Sequence, residues 1–90
     1  MIYNSKIGEI ELSKVIRLYP AAVVDVDGEI AQMSLEWADM NSKKVTVASY
    51  VLVFDFTLPS EKIRDKKEIY FETKDELFLA MQEVAQFFQE

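Results

Sequence analysis

This sequence contains neither cysteine nor histidine. Without cysteine there is no disulfide framework and no thiolate metal site. Without histidine the commonest general base, the commonest zinc ligand and the switch near neutral pH are all missing. A serine such as Ser13 or Ser49 has no imidazole to activate it, so serine–histidine and cysteine–histidine chemistry is excluded. Glycine and proline are scarce, at two each, which limits long irregular loops. Met1 to Lys6 lacks the apolar run of a signal peptide, and no later segment is long enough to span a bilayer. A soluble, cytoplasmic chain without a cofactor is expected.

Half of the 90 residues are hydrophobic and 12% are aromatic, enough for a real core. The length suits one domain, 1–90, which buries only about 60–65% of its unfolded surface, so association with another chain would help it. Ten basic against sixteen acidic residues give a net charge of −6. Nucleic acid and anionic membrane should repel such a chain. The expected partners are therefore a second copy or another protein.

The clearest local signal is Lys67 to Glu72, a strand, followed at once by Thr73-Lys74-Asp75-Glu76. Threonine with glutamate three residues on is a capping box, and acidic residues suit the first helical turn. Leu77, Ala80, Met81, Val84, Ala85, Phe87 and Phe88 then recur at helical spacing, which predicts a helix over 74–89. Phe78 and Phe87 widen its apolar stripe beyond what one sheet face covers, so part of the helix would suit a second chain.

Everything earlier, over 7–72, reads as strand. Ile7 to Leu12 and Val15 to Tyr19 are short, and Pro20 calls for an edge or a bend. Ala21 to Val26 leads into Asp27-Gly28, a strong signal for a two-residue hairpin. The return strand puts Ala31, Met33, Leu35 and Trp37 on one face. Val45 to Leu58 is the longest strand candidate, about 46 Å if straight, so a bend or bulge is expected. Its alternation places Val45, Val47, Val51 and Val53 on one side and Tyr50, Leu52, Phe54 and Phe56 on the other. Two apolar faces require cover on both sides. The fold class is α+β, mostly β: one bent antiparallel sheet of five to six strands with a C-terminal helix.

The segment Lys67 to Phe88, a strand passing directly into an amphipathic helix, and the short strand and turn at Ile10 to Ile16 resemble pleckstrin-homology-like domains. The resemblance implies a strongly bent antiparallel barrel plugged by the helix. Some of those domains hold inositol phosphates on basic loops, and Lys62, Arg64, Lys66 and Lys67 form such a loop here, interleaved with Glu61 and Asp65. A solvated loop is the simpler reading of that mixture.

Ala22-Val23-Val24-Asp25-Val26-Asp27-Gly28 resembles the first signature of haloacid-dehalogenase-type phosphatases. The resemblance would make Asp25 the nucleophile and Asp27 the acid/base beside Mg²⁺. Glu29 stands where that family has a small hydroxyl residue, and no helix separates Asp27 from the next strand. Asp25, Asp27, Glu29 and Glu36 also miss the spacing of a calcium loop. A hairpin turn explains the motif better, so no enzyme and no metal site is expected. The expected function is a small, non-enzymatic interaction module that self-associates through an apolar sheet face. Its contact residues would be Trp37, Met40, Val45, Val47, Val51 and Val53, and lysine at Val47 and Val51 should break association without unfolding the chain.

Overall fold

A computed structural model describes residues 1–88. The chain runs β1 (Ile2–Ser5), β2 (Gly8–Glu11), a 3₁₀ turn at Leu12–Lys14, β3 (Arg17–Val26), β4 (Glu29–Met33), α1 (Leu35–Met40), β5 (Thr46–Asp55), β6 (Lys66–Phe71) and α2 (Lys74–Gln86). The fold is α+β with six strands in two antiparallel sheets, a hairpin β1–β2 and a four-stranded sheet in the order β4-β3-β5-β6. The larger sheet keeps β4 and β6 as open edges, so the closed barrel implied by the resemblance does not form. The shared feature is the strand β6 running into a C-terminal helix.

Local chemistry explains most boundaries. Val26 pairs with Glu29, leaving Asp27 and Gly28 as a two-residue loop at φ 52° and 89°. That is the left-handed pair a type I′ turn demands. Thr73 Oγ1 accepts the Glu76 amide at 3.2 Å, and the same hydroxyl donates to the Glu76 carboxylate at 3.1 Å. The helix it starts ends at Gln86, with Phe87 and Phe88 in a tight final turn; residue 89 of the expected helix lies outside the described residues.

The return strand is shorter than its alternation suggests. It stops at Met33 because Ser34 caps a helix, its hydroxyl accepting the Trp37 amide at 3.1 Å. Leu35 and Trp37 therefore sit on α1, not on a strand, and Ala38 of α1 packs on Ala22 and Val24. Because the chain leaves the sheet at Met33, β4 covers only Ala22–Val26 of β3. Pro20 thus lies on a stretch of β3 that is an edge, as a missing N–H requires.

The main core lies on one face of the larger sheet, hereafter the helix face. Leu52, Phe54 and Ile69 meet Leu77, Ala80 and Val84 of α2 there, with Tyr3, Ile10 and Leu12 from the β1–β2 segment. Lys6 ties that hairpin down: its ammonium donates to the Tyr70 carbonyl and lies 4.2 Å from the Phe71 ring centre.

Candidate functional site

The six expected contact residues do not form one surface. Val23 pairs with Ser49 but Val24 pairs with Val47, so Ala48 is an extra residue, a β-bulge in β5. The bulge resets the alternation. Val45 and Val47 fall on the helix face, half-buried with Trp37 around Ala22, Val24 and Ala38. Val51 and Val53 fall on the opposite face and are 0% exposed. They are core in this chain and unavailable to a partner. Of the six, only Met40, at 84% exposure, stands fully open.

The opposite face buries its valines without a covering layer. Ala21, Val23, Val51 and Val53 cluster with Tyr19. Gln32 pairs with Val23 and Glu68 with Val53, so both polar side chains share that face. Gln32 Nε2 donates to Glu68 Oε2 at 2.5 Å, joining the two edge strands across the central pair. Tyr70 Oη donates to Glu68 Oε1 at 3.4 Å. Such a bridge requires a strongly bent sheet, concave over the valines.

The acidic motif is structural in its contacts. Asp25 Oδ1 accepts the Gly28 amide at 2.8 Å and Asp27 holds the left-handed turn position. Among the described residues no three acidic side chains converge as a metal site would need.

The basic residues are partly engaged by neighbours. Arg17 pairs with Asp55 at 3.0 Å, and Lys66 donates to the Tyr19 hydroxyl at 3.1 Å. Asp55 is buried and also accepts the Thr57 amide at 2.9 Å. The Thr57 amide and hydroxyl, then Arg17, lower its pKa to about 2. Arg17, Lys62 and Arg64 border one cleft of about 370 Å³, but Asp55 and Glu61 line it too.

A different surface is apolar throughout. Between α2 and the free stretch of β3 runs a groove of about 350 Å³, lined by Leu18, Pro20, Leu52, Met81, Ala85 and Phe88. Leu18 pairs with Phe54 and Pro20 with Leu52, so both lie on the helix face beyond the reach of α1. Phe78, 41% exposed, extends the same strip along α2. The helix periodicity points to Phe78 and Phe87 for a second chain; Phe78 lies on this strip, whereas Phe87 packs edge-on to the Tyr3 ring. It gives no sign of Leu18 and Pro20, while 78, 81, 85 and 88 form a second apolar row along the helix.

The fold and this site define a small α+β domain with an apolar groove. Compared with known protein families, curated proteins and solved structures, the chain matches none of them. No helix among the described residues is long and apolar enough to cross a membrane.

Proposed function

We propose that this chain works without catalysis, as a small interaction module that associates with a second copy of itself through the β3–α2 groove. The observation that carries this reading is the continuous apolar strip of Leu18, Pro20, Met81, Ala85, Phe88 and Phe78, none of it charged, on a chain of net charge −6. Two such chains repel one another except where they present a neutral surface. Leaving this strip in water forfeits hydrophobic stabilisation that a domain of 90 residues has little means to replace. The groove takes over the role first assigned to the sheet face, because that face is closed by its own side chains. A chain without cysteine suits the reducing cytoplasm, where this association would operate.

Light scattering across a concentration series tests the proposal. The expected mass is twice the 10.4 kDa of one chain. Ala85→Glu keeps good helix propensity at an exposed position and should return the protein to monomer. Met40→Glu, on α1, should leave the mass unchanged. A wild-type protein that is monomeric at every concentration overturns the reading.

A further inference from the structure

We infer that the second copy is seated helix on helix, α2 antiparallel to α2 about a twofold axis beside Gln82. This rests on the self-association just described and specifies its geometry.

Two routes are open to a copy approaching the groove: adding a strand to the free edge of β3, or laying a helix along it. The edge itself disfavours the first. In a two-residue hairpin the residues flanking the turn, Val26 and Glu29, form the mutually hydrogen-bonded pair. By alternation Val24, Ala22, Pro20 and Leu18 aim their main-chain groups at the same side. Past Ala22 that side is free, and in the middle of the free stretch stands Pro20, which has no N–H to offer. Proline on an exposed edge is a known guard against strand addition.

The helix favours the second route. Phe78, Met81, Ala85 and Phe88 are spaced three, four and three residues apart, the contact row of paired helices. The neighbouring row, Leu77, Ala80 and Val84, is already buried on the sheet. In an antiparallel pair centred on this row, Phe78 of one copy faces Phe88 of the other and Met81 faces Ala85. A large side chain opposite a small one lets the axes close, and aromatic rings pair at both ends. Gln82 flanks the centre, and its amide both donates and accepts, so the two copies of it are self-complementary.

Charge agrees with this arrangement. Asp75 and Glu76 stay at the helix start, and Glu83 borders the cleft beside Tyr3 and Lys6 on another side of α2. The row between Phe78 and Phe88 holds no carboxylate. Lys74, one turn before Phe78, is held by Asp39 of α1 at 2.8 Å and so adds no unpaired charge beside the row.

Single-cysteine variants test this cleanly because the native chain has no thiol. Gln82→Cys should form a covalent dimer on mild oxidation, since the two thiols flank the axis within disulfide reach. Asp75→Cys should not, because antiparallel helices hold its two copies about 24 Å apart along the axis. Linking at Asp75→Cys as well would mean parallel helices and overturn the inference. A dimer by light scattering that links at Met40→Cys and not at Gln82→Cys would overturn it too, while leaving self-association standing. A monomer at all concentrations removes both.

Discussion

The two faces of the larger sheet bury their side chains equally well by different means. On the helix face, Leu52 and Phe54 are covered by α2 and by the β1–β2 segment, a second layer of apolar side chains. On the other face, Val51 and Val53 are sealed by their own sheet, which curls until Gln32 and Glu68 meet across it. The shortest dimension of the molecule, 21 Å, leaves room for a sheet and one layer only. Ninety residues cannot supply a second layer. Curvature replaces it, and small β-branched residues are what a concave face admits.

Truncating each face should separate these modes. Phe54→Ala removes an aromatic ring from beneath α2 and should cost about 3–5 kcal/mol, the range for emptying a large core site. Val51→Ala removes two methyl carbons and should cost about 2 kcal/mol. Urea unfolding followed by the single tryptophan, Trp37, measures both. A near-zero cost for Val51→Ala would show that the curled face is loosely packed despite its burial. Val51→Lys should unfold the chain, contrary to what its alternation with Val47 suggests, because it places an ammonium in a sealed site.

What was legible in the sequence was what local chemistry decides. Thr73 with Glu76 and Asp27 with Gly28 each announce a cap or a turn within four residues, and both occur as read. The α+β class and the C-terminal helix followed from them. The return strand is extended too far because Ala31, Met33, Leu35 and Trp37 alternate acceptably for a strand, and the choice between strand and helix falls to a single cap at Ser34. The bulge at Ala48 was expected only as a bend somewhere in a long strand. Both faces of β5 are apolar, so a slip of one residue leaves no mark in the pattern, yet it separates Val47 from Val51. The groove was hidden for a longer-range reason. Leu18 and Pro20 are open only because β4 stops at Met33, a fact of pairing that neither residue encodes.

Acid should act on the rim of the curled face before it reaches the valines. Asp55 is held to about 2 by the Thr57 amide, then by the Thr57 hydroxyl and Arg17. A carboxylate whose folded pKa lies below its unfolded one stabilises the fold above the unfolded value, and that contribution is lost as pH falls through the folded one. The window runs from about pH 4 down to about pH 2. The Tm of the wild type should fall through it, and Asp55→Asn should be less stable at neutral pH and flatter across the window. Equal acid slopes for the two proteins would mean that Asp55 is not what holds the β5 end of the sheet.

The smallest expected effect concerns the bridge between the edge strands. Gln32 and Glu68 are wet enough that water replaces most of what their hydrogen bond supplies, so Gln32→Ala should cost only about 0.5–1 kcal/mol. The informative quantity is the coupling in a cycle with Glu68→Ala. If the bridge draws the edges together, the two changes should be less damaging in combination than their separate costs imply, and Val51 amide exchange should quicken in each single variant. If the coupling vanishes and exchange is unmoved, the curl is set from beneath, by the bulge at Ala48 and the packing of α2. The polar bridge would then be a consequence of the curvature that seals the valines.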